Sequence, residues 1–217
     1  MSNIALDLIG QARYLYQYAA KLIHESEGIQ TTEDQLAYLR DGRAFRNFLL
    51  VELPNGDWGH TVLRQCFFSV YQHCLYNRLV KSADKELSAI ASKAVKEVAY
   101  HVKWSAEWVI RLGDGTGESH RRMQMALEQL WPYTGELYNA ASFEMALSAE
   151  GIAIDPREMK EEGTKKMTAI LQQATLKSEN KQVPAYTGGK EGLHTEHLGF
   201  LLAEMQFLQR AYPGNEW

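Results

Sequence analysis

No stretch of the chain approaches the roughly eighteen consecutive apolar residues of a membrane span. Its start, Met-Ser-Asn-Ile-Ala-Leu-Asp, lacks the basic region and unbroken apolar run of a secretory leader. Neither a membrane association nor export is expected, and the sequence reads as cytoplasmic. Blocks of Lys or Arg are also missing and the formal net charge is −4, so nucleic acid is not an expected partner. Cysteine is scarce: only Cys66 and Cys74 occur, eight residues apart in one predicted helix. That spacing sets them about 12 Å apart along the axis, too far to bridge, so buried thiols are expected. Alternating apolar and polar runs are nearly absent, which argues against strands. Nothing resembles a Ser or Cys nucleophile arrangement or a zinc site. Gly113-Asp114-Gly115-Thr116-Gly117 is glycine-rich, but it follows a predicted helix rather than a strand, so it reads as a connection and not a phosphate cradle.

What is present is apolar spacing of three and four, in a chain of 217 residues and 45% hydrophobic content that can bury a sizeable core. The simplest organisation is one all-α domain over residues 1–217 with six substantial helices. The first covers about residues 3–23. It carries Ile4, Leu8, Ala12, Leu15, Ala19 and Leu22 on one face and Asp7, Gln11, Tyr14 and Tyr18 on a second, more polar stripe. Thr32-Glu33-Asp34-Gln35 fits a capping box and should open a short helix or helix pair. Pro54-Asn55-Gly56-Asp57 is a turn by composition. Further helices are expected at about residues 59–81, 84–112, 118–140 with a break or kink at Pro132, 155–176 opened by Asp155-Pro156, and 195–210. Residues 177–192, with Pro184 and Gly188-Gly189, should be an extended loop. The third long helix is apolar around much of its circumference, so it should be contacted from more than one side.

Lys96-Glu97-Val98-Ala99-Tyr100-His101 carries the chemistry that can be read locally. A Glu and a His three apart lie on one helical face and can grip one metal together. The residue three before His101 is Val98, which cannot bind a cation, and Glu97 is rotated by about 100° from that register. Glu97 and His101 at i,i+4 therefore read as a charged or hydrogen-bonded pair. His194-Thr195-Glu196-His197 is the densest cluster of ligand types. It opens a helix, whose positive dipole end disfavours a cation, and Thr195 makes a natural N-cap, so His194, Glu196 and His197 read as packing or subunit-contact residues. Asp7 is followed at three and four residues by Gly10 and Gln11, not by an acid or a histidine, and reads as an acid paired with Arg13 or Arg64.

Taken together the landmarks resemble the phenylacetyl-CoA epoxidase family of phenylacetate catabolism, and within it the branch that accompanies the catalytic subunit. They are Leu6-Asp7-Leu8-Ile9-Gly10-Gln11-Ala12-Arg13, Val51-Glu52-Leu53-Pro54-Asn55-Gly56, Lys96-Glu97 with Tyr100-His101, Arg111-Leu112-Gly113-Asp114-Gly115-Thr116, and Gly192-Leu193-His194-Thr195-Glu196-His197-Leu198-Gly199. The resemblance implies a ferritin-like helical bundle in a multicomponent monooxygenase that epoxidises the ring of phenylacetyl-CoA. It draws on O₂ and on electrons that a reductase takes from NADPH. The diiron centre would lie on the catalytic subunit, with which this chain would pair as a non-catalytic structural subunit, forming a homo-oligomer when alone. By resemblance, Leu8 and Gln11 stand where the catalytic relative has one Glu-x-x-His, Ser69 near its single acidic ligand, and Val98 with His101 at the second Glu-x-x-His. The resemblance also implies that the first core helix of the family is lacking, so the apolar face of residues 4–22 should be incompletely covered within one chain. The competing reading is an independent diiron oxygenase with an unconventional ligand set of Asp7, Glu97, His101 and Glu136.

Overall fold

The computed structural model describes residues 1–178 and 185–215, and among these the secondary structure is entirely helical. Of the expected loop at 177–192, residues 179–184, with Pro184, lie outside the described residues, as do residues 216 and 217. Among the described residues no helix is long and apolar enough to cross a membrane. The chain divides into two compact units, Met1–Asn47 with Gly188–Trp217, and Phe48–Thr187.

The larger unit is built from α3 (Leu49–Glu52), α4 (Trp58–Leu79), α5 (Lys85–Gly113), α6 (Gly117–Thr134), α7 (Ser142–Ala149) and α8 (Lys160–Gln173). Three of these helices are started by side chains that satisfy an orphan amide. Asp57 accepts from the His60 N–H, Asp84 from Leu87 and Thr116 from Ser119. Around α4 gather Val62, Leu63, Cys66, Val70 and Cys74, fully buried against Val109 of α5, Met123 and Ala126 of α6 and Met167 of α8. The long helix α5 packs on α4, α6 and α8, as its broad apolar circumference implied.

The expected helix at 118–140 stops at Thr134, because Pro132 brings no amide donor to its last turn. The Pro132 carbonyl accepts instead from the Tyr186 N–H at 3.0 Å, and residues 135–138 form a 3-10 turn. The short helices α3 and α7 went unanticipated. The helix expected from Asp155 opens as a 3-10 turn at Pro156–Met159 before α8 begins. Asp155 accepts from the Arg157 N–H and pairs with its guanidinium at 2.5 Å, which holds the first turn tight.

In the smaller unit, α1 (Ser2–Glu27), α2 (Glu33–Tyr38) and α9 (His197–Ala211) are tied through polar contacts. The capping box forms at Thr32 and Gln35. Arg40 donates to the Tyr16 hydroxyl at 2.9 Å and lies over the Phe45 ring at 4.5 Å, while Gln206 of α9 donates to the Arg40 carbonyl at 2.8 Å. The buried side of α1 follows the expected stripe only in part, at Ile4, with Leu8 and Ala19 half-buried. Ile4, Gln11 and Ala20 are buried and Asp7 is half-buried, whereas Leu15 and Leu22 are 36% and 44% exposed, and Leu6 and Ile9 more so. Of the more polar stripe Gln11 alone is buried, with Asp7 and Tyr18 half-buried and Tyr14 43% exposed, so neither stripe turns wholly inward. The expectation that the apolar stripe is incompletely covered holds. Arg13 pairs with Glu33 at 2.6 Å, and Arg64 donates to the carbonyls of Leu53 and Pro54.

Two consequences can be measured. A Cβ on Gly113 would lie 2.4 Å from the Ala174 carbonyl oxygen and 2.8 Å from the Ala174 Cβ, so α5 and the end of α8 meet only because residue 113 is glycine. Gly113→Ala should cost about 1–3 kcal/mol in denaturant unfolding, since backbone rather than a mobile side chain must yield. Hydrogen bonds from Lys166 and then Arg78, at 2.7 Å each, hold the Glu162 carboxyl at about 2, well below its usual 4.5. A depressed carboxyl contributes stability that is present above its unfolded value and lost as pH falls through the folded one. Glu162→Gln should therefore lower the melting temperature at neutral pH and leave a smaller loss between pH 4.5 and about 2 than wild type shows.

Candidate functional site

The connection between α4 and α5, residues 80–84, is short enough to force the two helices into an antiparallel pair. Ser82 fixes it by donating to the Ile152 carbonyl at 2.6 Å, and the Ala83 N–H donates to the Gly151 carbonyl. The pairing sets Cys66 beside Ser105 and Tyr76 beside Glu97. Polar side chains therefore line a seam in the middle of a helical core.

Ser69, Val98, His101 and Ser105 have no exposed surface, and Gln72 is 7% exposed. Ser69 accepts a hydrogen bond from the Gln65 amide at 2.8 Å. Ser105 donates to the His101 carbonyl at 2.7 Å, a back-bond to the preceding turn that keeps a hydroxyl satisfied inside a helix. Burial pushes the Cys66 thiol up to about 12, opposed by its hydrogen bond with Ser105, so it is a proton-bearing core group rather than a nucleophile. Cys74, also free and buried, is raised for the same reason. Tyr76 is pushed up to about 12 by burial and by the charge of Glu97, which is itself half-buried.

Val98 decides the chemistry of the seam. Its side chain packs with Tyr76, Leu79, Ala91 and Ala94, all nearly or fully buried, so hydrocarbon fills the place three residues before His101. A diiron centre in a helical bundle takes about four carboxylates and two imidazoles. Ser69, Val98 and His101 offer one hydroxyl, a hydrocarbon and one imidazole, and that set does not fit the metal pair. Among the described residues no group of three or more His, Cys, Asp or Glu comes together to hold a metal ion. In the smaller unit, α1 carries the remaining positions: Asp7 and Leu8 half-buried, Gln11 buried.

Two acids are buried in the larger unit, of which only Glu136 was among the candidate ligands. Glu52, the last residue of α3, is 1% exposed, and Glu136 is 2% exposed. The Glu136 carboxylate accepts the Leu49 N–H at 2.7 Å, so it serves the start of α3. The sequence signal was indirect, because α3 is only four residues long and announces itself by no periodicity. His194 donates through Nε2 to the Phe45 carbonyl at 3.2 Å, a packing role. The N-cap of α9 is Glu196 and not Thr195, whose carbonyl accepts from Leu198, and His197 is the first residue of the helix.

These positions can now be set beside known proteins. A family model described as phenylacetic acid catabolic protein matches residues 1–217. The chain belongs to this family. The fold of the phenylacetic acid catabolic proteins is the all-α, ferritin-like helical bundle. The C subunit of the 1,2-phenylacetyl-CoA epoxidase of Escherichia coli (strain K12) is 48% identical over 218 residues, which spans all of this chain and 85% of that relative.

The packing around Val98 predicts the result of restoring the missing acid. Val98→Glu should destabilise the protein by about 3 kcal/mol or more at pH 7, because it buries a carboxylate among apolar side chains. The penalty should shrink at pH 5 as the carboxyl takes a proton, which paired urea titrations at the two pH values would read.

Proposed function

We propose that this chain is a non-catalytic structural subunit of a multicomponent phenylacetyl-CoA ring epoxidase of aerobic phenylacetate catabolism. It pairs with and stabilises the subunit that holds the diiron centre, and works in the cytoplasm as a single helical domain. The observation that carries the reading is the burial of Val98 in hydrocarbon at the position where a carboxylate ligand would have to stand. The 48% identity to the C subunit of an epoxidase supplies the reaction to which the chain is attached. In this reading the chain uses no cofactor of its own. Iron and NADPH are used by its partner subunits, and His101 is kept as a buried core residue.

The protein's own residues then contribute to catalysis by position alone. The α4–α5 pair gives a rigid, dry body, and the incompletely covered α1 stripe with Leu15 and Leu22 offers apolar surface to a partner or to a second copy. The independent oxygenase reading has less support, because the place three residues before His101 is hydrocarbon.

The test is metal analysis joined to co-purification. The chain expressed alone should carry far less than one iron per protein, His101→Ala should not change that content, and co-expression with the catalytic subunit should give a stable complex. Near-stoichiometric iron that disappears in His101→Ala would sink the proposal, as would failure of the two chains to co-purify.

A further inference from the structure

The outer face of α5 carries a pattern that core packing does not require. Lys96, Tyr100, Lys103, Glu107 and Arg111 recur every three or four residues and are exposed, on the side opposite the buried Val98, His101, Ser105 and Val109. Three of the four charges on this stripe are positive, in a chain whose net charge is −4. Along one edge lie the half-buried rings of Trp104 and Trp108, and Trp58 at the start of α4 meets them edge-on at 6.0 and 5.7 Å. Trp58 is 42% exposed, Tyr100 is 50% exposed, and the Arg111 guanidinium lies over the Trp108 ring at 5.2 Å.

We propose that this basic and aromatic stripe of α5 docks an acidic face of the catalytic subunit. The inference rests on the pairing proposed above and adds where, and with what charge, the pairing occurs. Trp, Tyr and Arg are the side chains that protein interfaces concentrate, because a large ring or a planar guanidinium buries much area while losing few rotamers. The surplus of positive charge selects an acidic partner and speeds encounter with it. From Lys96 to Arg111 the stripe is about 22 Å long at 1.5 Å per residue, and it is the convex outside of a helix. That shape matches a protein face and not a single thioester or nucleotide, which needs a concave site. A second copy laid on the same stripe would set lysine against lysine.

The experiment measures binding of the purified catalytic subunit to the wild-type chain and to two variants. Lys96→Glu/Lys103→Glu/Arg111→Glu reverses the charge, and Lys96→Gln/Lys103→Gln only removes it, leaving Arg111 on its ring. Wild-type binding should weaken as salt is raised from 50 to 300 mM. The neutral variant should raise Kd by about tenfold and flatten the salt dependence, and the reversed variant should lose binding further, with helical circular dichroism and melting temperature unchanged. Should the reversed variant fail to fold, the neutral variant decides alone. Wild-type affinity and salt slope retained in a folded neutral variant would overturn this inference and leave the pairing intact, whereas a wild-type chain that does not bind at all would remove the pairing and this inference with it. Self-association of the wild type that the neutral variant abolishes, or calorimetric heat with phenylacetyl-CoA that it abolishes, would overturn the inference in favour of a second copy or a small anion.

Discussion

Closing α4 against α5 takes a continuous ridge of both helices out of water, and the rest of the larger unit depends on that seam being dry. A buried polar atom in such a place must find a partner, and a buried charge must be neutralised or leave. Each member of the seam obeys this in its own way. Ser105 turns its hydroxyl back onto its own helix, Ser69 takes the Gln65 amide, and Cys66 keeps its proton. Val98 has no polar atom to satisfy. A carboxylate can be tolerated at such a depth when a divalent cation balances it. Once the cation is gone the acid becomes a liability, and hydrocarbon in its place is the stable outcome. The scaffold can then be retained without the chemistry.

The same constraint explains where charge does survive. Glu136 is as deeply buried as the seam residues, yet it accepts an amide at the start of α3, where the exposed N–H groups of a helix end carry partial positive charge. Glu162 lies nearer the surface between Lys166 and Arg78, and there two cations stabilise its ionised form. Glu136 and Glu162 stand where donors meet their carboxylates, and Val98 stands where its neighbours are largely apolar.

The long helices α4, α5 and α6 were legible from periodicity, and in the structure each begins at a capping side chain, Asp57, Asp84 and Thr116. The absence of a ligand at Val98 was legible too, since it depends only on helical register. Three things were not. The helices α3 and α7 are short, four and eight residues; α3 is buried and starts at the Glu136 carboxylate, whereas α7 buries no residue and is capped by Glu144, which accepts the Ala141 N–H. The turn at Pro132 could be placed, but not that the chain would continue as a 3-10 turn instead of helix. The inward side of α1 was assigned only in part, because apolar spacing counts leucines and did not anticipate that Gln11 would be buried while Leu15 and Leu22 stay exposed.

That difference bears on function. In an isolated protein the leucines of α1 would be expected to turn inward, because exposing them costs about 25 cal/mol for every Å² of apolar surface left in water. Here Leu6, Ile9, Leu15 and Leu22 face outward while Gln11 is buried, and α9 likewise exposes Phe200 and Phe207 at 71% and 62%. A helix that buries its glutamine and shows its leucines is arranged for a surface beyond the ones it contacts. The outer face of α5 adds rings and positive charge of a kind that binding uses and folding does not. Apolar area supplies the driving force of association and is indifferent to partner, whereas fixed charge discriminates among partners. Under the proposed function a subunit without its own metal site would need both, because its contribution to the reaction would consist of which protein it holds and in what orientation.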